Sequence, residues 1–275
     1  MLAIKCDKPG KIKLRDIPTN SDGGLKREES PTRFAALATQ LAELQELCYA
    51  AGTQSLLIVV QGMDTAGKDG TLKSIAGAMN PVGIRVASFK VPTAFEAGHD
   101  FLWRVHQQTP VRGETVFFNR SHYEDVLVVR VHNLVPETQW QERYGHINDF
   151  EELLTESGTI VLKFFLHISK EEQERRLLSR EENLAKGWKL NVGDWKEREF
   201  WDDYQQAYDD AIEKCAAKDA PWFIIPADKK WFRDIAVAEA IVETLKPHRQ
   251  KWEQILAGIG ETRKAELAAY RKGGS

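Results

Sequence analysis

Cysteine is scarce in this chain. Its three copies in 275 residues, Cys6, Cys48 and Cys215, are odd in number and share no C-x-x-C spacing. A disulfide framework or structural zinc site is therefore not expected, whereas a reducing, cytoplasmic setting is. Long apolar runs are missing as well. The most apolar stretch, 56–60, falls far short of the ~20 residues that span a bilayer. The opening Met1-Leu2-Ala3-Ile4-Lys5-Cys6 has no hydrophobic signal core, so neither secretion nor a membrane partner is expected. Neither sign of charge dominates: 38 Lys and Arg against 41 Asp and Glu leave a net charge of −3. That balance speaks against a nucleic-acid partner, although a local basic groove fits inside it. The seven histidines form no cluster at metal spacing, and no G-x-S-x-G or triad-like pattern occurs. Zinc and serine-hydrolase chemistry are thereby set aside.

What is present is an ordinary globular composition, 42% hydrophobic and 29% charged, with enough chain for a large core. Residues 1–30 are polar, broken by Pro9, Gly10, Pro18, Gly23 and Gly24, and read as an irregular arm. Ser30 and Pro31 then open a helix with Phe34, Leu37, Leu41, Leu44 and Cys48 at helical spacing, Ser30 as its cap. Short β-rich runs follow at 55–61, 84–89, 115–118, 159–168 and 222–225. Helical stretches lie between and after them, at about 68–79, 96–108, 122–131, 139–156, 170–183, 194–216 and 231–245. The alternation predicts an α/β fold with a five-stranded parallel sheet covered by helices on both faces. No repeat or linker divides the chain, so 1–275 is expected to be a single domain. A C-terminal helix and tail occupy 250–275, with the last three residues expected to be disordered.

The chemistry concentrates at Gly62-Met63-Asp64-Thr65-Ala66-Gly67-Lys68-Asp69-Gly70-Thr71. A buried strand runs into a glycine-rich turn, and a helix begins at the lysine. Gly62 and Gly67 permit a backbone whose N–H groups converge on phosphate oxygens. The helix N-terminus adds partial positive charge, and Lys68 can reach the terminal phosphates. The competing reading is a plain strand-to-helix turn with a solvated lysine. Asp69 follows the lysine, where a Ser or Thr hydroxyl normally meets Mg²⁺. Asp64 offers another hard oxygen donor, so the metal role is assigned to Asp64. Asp69 is read as a first-turn acid favoured by the helix dipole.

The loop resembles the G-x-D-x-x-G-K-x-G-T segment of the polyphosphate kinase 2 family. The segment Phe118-Asn119-Arg120-Ser121-His122-Tyr123-Glu124-Asp125 is similar to that family's second motif. Further likenesses are Ser88-Phe89-Lys90, His99-Asp100-Phe101-Leu102-Trp103-Arg104, Trp188-Lys189 with Asp194, and Ala220-Pro221-Trp222 with Pro226 to Trp231. They run in order over roughly residues 10–245. The resemblance implies a P-loop kinase fold similar to thymidylate kinase, and Mg²⁺-dependent transfer between inorganic polyphosphate and nucleotides. Many members carry Asp at the place of Asn119 and Asn at the place of Glu124. The present version is similar to the subclass acting on both nucleoside mono- and diphosphates.

Arg120 ends a core strand at the edge where open α/β sheets bind ligands, and its fork suits phosphate oxygens. An ion pair with Glu124 or Asp125 is the structural alternative. Asp64, Lys68, Arg120 and Glu124 are the catalytic candidates. Gly62, Ala66, Gly67, Asp69, Gly70, Thr71 and Asn119 are candidates for phosphate or nucleotide binding, with Lys90, Arg104, Asp125 and Arg130 further out. The stretch 170–195 holds Arg175, Arg176, Arg180, Lys186 and Lys189 among acidic residues. Composition alone reads it as a solvated helix; the resemblance makes it a kinase lid, with Arg180 and Lys189 on phosphate. His122 is read as a packing or hydrogen-bonding residue rather than a nucleophile. The expected activity is reversible transfer from polyphosphate to AMP and ADP, with Mg²⁺ or Mn²⁺, by a homodimer or homotetramer. An ATP-dependent nucleoside monophosphate kinase is the alternative, and a catalytically idle nucleotide-binding protein the third reading.

Overall fold

The computed structural model describes residues 1–182, 187–188 and 190–273. Its frame is one six-stranded sheet. The strands are β1 (Ile4–Cys6), β2 (Ser55–Gln61), β3 (Ile84–Ser88), β4 (Thr115–Asn119), β5 (Thr159–His167) and β6 (Trp222–Pro226), in the order β1-β6-β5-β2-β4-β3. β2 is buried at every position and lies between β4 and β5, parallel to both. β3 extends the sheet parallel to β4, and β6 extends it parallel to β5. These are the five parallel strands that the alternation of β-rich and helical stretches predicts, in the topology of a P-loop kinase.

The sixth strand corrects the reading of the arm. Ile4 pairs antiparallel with Ile224, so β1 caps the exposed edge of β6. Leu14 is fully buried, and its carbonyl accepts from His167 Nε2 at 3.0 Å. A three-residue strand is too short to show a period of two, which is why the arm looks irregular in sequence.

The principal helices are α1 (Ser30–Ala51), α2 (Lys68–Ala76), α3 (Glu137–Glu156), α4 (Lys170–Glu181), α5 (Val192–Glu197), α6 (Trp201–Cys215), α7 (Lys230–Leu245) and α8 (Arg249–Gly273). α1 has Pro31 in its first turn but Glu29, not Ser30, at the cap; Ser30 Oγ instead donates to the Arg27 carbonyl at 2.6 Å. It ends at Gly52, which takes φ +59° and donates to the Cys48 carbonyl. The helix expected over 96–108 is two short pieces, Ala94–Ala97 and Trp103–His106. Thr93 and Glu96 form a capping box that starts the first piece early, and Gly98 closes it. The stretch expected as a helix over 122–131 is a 3₁₀ turn, His122–Val126, followed by Val128–Val131. Of the expected tail, Gly273 still belongs to α8, and residues 274–275 lie outside the described residues. Among the described residues no helix is long and apolar enough to cross a membrane.

The order places β2 where the chain's connections diverge toward β4 on one side and β5 on the other. Open α/β sheets hold ligands at the carboxyl ends of strands beside such a switch point. The loop after β2 and the turn after β4 meet there.

Candidate active site

The loop between β2 and α2 depends on two glycines. Gly62 has φ +152°, and a Cβ on it would stand 2.8 Å from the Leu166 carbonyl oxygen. Gly67 has φ +108°, and a Cβ there would meet Arg233 Nη1 at 1.9 Å. Backbone leaves no room for a side chain at Gly62, and at Gly67 the left-handed φ disfavours one even if the Arg233 guanidinium shifts. The loop is fastened from outside by Arg176 on α4, which is 5% exposed. Its guanidinium donates to the carbonyls of Thr65 (2.9 Å), Ala66 (2.8 Å), Ala227 (2.6 Å) and Asp228 (3.0 Å). Its Nε donates to Glu172 Oε1 at 2.6 Å, so the buried charge is paired as well as hydrogen-bonded. Gln173 Nε2 adds a bond to the Asp64 carbonyl at 3.1 Å.

Lys68 begins α2 and folds back over the loop. Its Nζ donates to the Gly62 carbonyl at 2.6 Å and to the Met63 carbonyl at 3.2 Å. Burial, then the Arg120 charge, lowers the Lys68 pKa, against the pull of Asp64, Glu124 and Asp69. An anion entering the loop reverses that balance by giving the ammonium a counter-charge.

Arg120 leaves β4 with φ +61°, an uncommon conformation for a residue with a Cβ and a mark of a constrained site. Its Nη2 bonds Asp64 Oδ1 at 2.9 Å and its Nη1 bonds Glu124 Oε2 at 3.1 Å. Burial opposes its charge, but Glu124 and Asp64 outweigh that and raise the guanidinium pKa. Glu124 and Asp125 face different ways, as neighbours in a 3₁₀ turn do. Asp125 Oδ1 accepts from Arg143 Nη1 at 3.0 Å, and burial pushes the Asp125 carboxyl up to about 6.

Two cavities meet at this point. One of about 420 Å³ opens over the loop and α2 and is lined by Lys68, Asp69, Gly70, Arg180, Lys230 and Arg233 among others. The other, of about 550 Å³, has apolar walls from Phe89, Val91, Pro92, Val128 and Leu134, with Lys90 and Arg104 at its side. Asn119 and Arg120 line both. A larger groove of about 1050 Å³ adjoins the second cavity between the 94–106 segment and α3, and contains no loop residue.

The expected residues divide accordingly. Gly62, Gly67, Lys68, Asp69, Gly70, Asn119, Arg120, Glu124 and Asp64 are brought together around the junction. Asn119 Nδ2 donates to Asp69 Oδ1 at 3.1 Å, so Asp69 also braces the end of β4. Ala66 is fully buried; its N–H donates to the Met63 carbonyl at 3.0 Å and its carbonyl accepts from Arg176. Thr71, expected to bind phosphate or nucleotide, is 1% exposed and its hydroxyl has no hydrogen-bond partner among the described residues. Arg104 Nη1 holds the Lys90 carbonyl at 2.7 Å, which shapes the second cavity's wall. Arg180 lines the first cavity and bonds Asp194 Oδ2 at 2.7 Å. Arg130 does not reach either cavity: it pairs with Asp210 at 2.7 Å and stacks on Trp140, because its short helix turns it toward α3 and α6. Lys186 and Lys189 lie outside the described residues.

Sequence reasoning missed Arg233, a 3%-exposed arginine of α7 that fills the space over Gly67 and Gly70. The available signal was helical spacing: Arg233 lies on the same face as Val237, Ala240 and Ile241, all of them buried. Tyr208 was missed too; it lines a small cleft with Gly62, Asp64, Arg120 and Glu124. Burial, then the Glu124 charge, raises its phenol pKa well above 10, so it stays protonated.

Among the described residues no three His, Cys, Asp or Glu side chains gather as a metal cluster. Asp64 and Glu124 nevertheless share one guanidinium at the cavity junction. One or two carboxylates, completed by waters and substrate phosphates, are what Mg²⁺ commonly uses beside phosphate chains. The donor set fits that ion.

Comparison with known proteins agrees with this geometry. The family model described as polyphosphate kinase 2 matches residues 24–253. An AMP/ADP-polyphosphate phosphotransferase of Meiothermus ruber is 53% identical over 221 residues, covering 80% of this chain and 83% of that protein. An ADP-polyphosphate phosphotransferase of Rhodopseudomonas palustris is 38% identical over 257 residues and covers 89% of each chain. The crystal structure of polyphosphate kinase 2 from Arthrobacter aurescens superposes with a TM-score of 0.85 at 41% identity, covering 90% of this chain and 88% of that one. A glycine-bounded phosphate loop, an arginine at the end of β4 and a match over most of the chain lead to one conclusion: the protein belongs to the polyphosphate kinase 2 family.

Proposed function

We propose that the chain moves phosphoryl groups between inorganic polyphosphate and nucleoside mono- and diphosphates, AMP and ADP among them, as one kinase domain. The observation that carries this is the junction of the two cavities at Asn119 and Arg120. The loop cavity is lined by Lys68, Arg180, Lys230 and Arg233, a cationic wall suited to a chain of phosphates. The neighbouring cavity has apolar walls suited to a nucleoside, with Lys90 and Arg104 at its side and Asn119, Arg120 and Glu124 toward the junction.

Transfer between two phosphate anhydrides needs alignment and charge stabilisation rather than an enzyme nucleophile. Loop N–H groups and Lys68 hold the terminal phosphate of the donor. The Lys68 ammonium exchanges its two carbonyl partners for phosphate oxygens when the loop fills. Arg120, at the junction, places its fork on the oxygens of the group in transit. Asp64, with Glu124 beside it, would hold Mg²⁺; when bound, that ion neutralises charge on the phosphates. Arg180, in the 170–195 lid, excludes water that would hydrolyse the anhydride. One anhydride is exchanged for another, so the reaction runs in both directions.

The test is product analysis after incubation with AMP, Mg²⁺ and polyphosphate as sole phosphoryl donor. ADP followed by ATP is expected. Product formed only when ATP is supplied would make the chain an ATP-dependent monophosphate kinase instead.

A further inference from the structure

Directly beneath the turn that carries Glu124 lies a buried charge system that the transfer chemistry does not use. Glu151 of α3 is 2% exposed, and Lys163 of β5 and His122 are fully buried. Glu151 Oε1 accepts from His122 Nε2 at 3.1 Å and from the Tyr123 hydroxyl at 2.9 Å. Its other oxygen accepts from Lys163 Nζ. Lys163 completes its three bonds on the Tyr123 hydroxyl at 3.1 Å and the Cys215 carbonyl at 2.6 Å, at the C-terminus of α6. Burial opposes the Glu151 charge, but Lys163 and His122 outweigh it and lower its pKa, so it stays an acceptor.

The geometry points to Glu151 as a positioning residue for phosphoryl transfer: through His122 and Tyr123 it fixes the turn that presents Arg120 and Glu124 to the cavity junction. The inference rests on the reading of the site given above. Residues 122 and 123 are consecutive, and both are drawn inward by one carboxylate oxygen. In a 3₁₀ turn the next residue must then face away from them, and Glu124 does so, onto Arg120. Ser121 locks the start of the turn: its Oγ accepts from Tyr123 N–H at 3.1 Å and from Gln61 Nε2 at 3.2 Å. The residue before it, Arg120, holds φ +61°, which relaxes unless the turn is held on its far side. Buried ion pairs add little stability over apolar substitutes of equal volume, so conformational definition is the role left for this one.

Two double variants separate position from stability. Glu151→Leu with Lys163→Met removes the acceptor together with both charges. Glu151→Gln with Lys163→Met also removes both charges but keeps an amide oxygen for His122 and Tyr123, while its NH₂ can turn to the Cys215 carbonyl. The glutamine variant is expected to unfold near the wild-type temperature and the leucine variant below it, since leucine leaves the buried His122, Tyr123 and Cys215 groups without these partners. The leucine variant is expected to lose about tenfold or more in kcat, with half-saturating polyphosphate and nucleotide concentrations little changed. The glutamine variant is expected to keep kcat within about twofold. A folded leucine variant with wild-type kcat, or equal kcat in the two variants, overturns the proposal. If the leucine variant does not fold, Tyr123→Phe decides: kcat down about threefold or more at unchanged KM supports the proposal, and unchanged kcat overturns it. Absence of polyphosphate-driven transfer in the wild type would overturn the functional reading instead, so the two failures are distinct.

Discussion

Arg120 and Asp64 stand 2.9 Å apart, so the guanidinium that ends β4 is tied to the phosphate loop that follows β2. With Glu124 on its other nitrogen, Arg120 is flanked by two carboxylates before any phosphate arrives. On the proposed reading, substrate phosphates would compete with Asp64 and Glu124 for this arginine, and a cation on those carboxylates would favour the exchange.

The loop lysine gives the plainest test. Lys68→Ala is expected to leave the thermal midpoint nearly unchanged, since Nζ bonds only carbonyls that water can satisfy. Transfer should fall by about a hundredfold or more. A folded variant that keeps most of its activity with polyphosphate would refute the loop assignment.

Asp64→Asn is expected to raise the Mg²⁺ concentration for half-maximal rate far more than Asp69→Asn. Asp64 faces the cavity junction beside Glu124, whereas Asp69 is engaged with Asn119. Similar shifts at the two positions would contradict that division.

Arg176 and Arg180 sit one helical turn apart on α4 and should fail differently. Arg176→Ala strips hydrogen bonds from four carbonyls and leaves Glu172 short of a buried partner, costing about 3 kcal/mol of stability. Arg180→Ala should leave stability nearly unchanged and lower kcat. Denaturant unfolding and initial rates on both variants decide this, and equal stability losses would count against it.

Glu124→Asn should lower one step, AMP to ADP or ADP to ATP, much more than the other. The two acceptors differ by one phosphate, so the group that holds the tail meets a different atom in each. Separate rates with the same polyphosphate decide it, and equal losses would assign Glu124 a general role.

Asp125 provides a pH signature. Its carboxyl is pushed from 3.8 up to about 6 by burial, despite Arg143 and Arg104. The native state therefore keeps a proton that the unfolded chain releases, and stability falls as pH rises from about 4 to about 6. Below that window both states are protonated, and above it both are ionised. Asp125→Asn should flatten the slope by roughly 2 to 3 kcal/mol across the window. Parallel stability curves for variant and wild type would refute it.

Much of this was legible in the sequence because it is local. The five parallel strands are short β-rich runs, and the loop is a contiguous motif placed after one of them. Other features depend on partners far along the chain. Arg130 reads as another free cation until Asp210, 80 residues later, is seen to take it. Arg233 reads as a helix-surface charge until the sheet brings α7 over Gly67. The early start at Ala94 was readable in principle, since Thr93 and Glu96 have capping-box spacing. β1 was beyond reach: its evidence is the vacant edge of β6, which no local pattern reveals.

The bonds from Arg176 to Thr65, Ala66, Ala227 and Asp228 also fix where motion can begin. The first part of α4 is welded to the loop and to the end of β6, so it cannot swing without dismantling the phosphate cradle. A pivot for any closing movement of the chain that follows must therefore lie beyond Arg176.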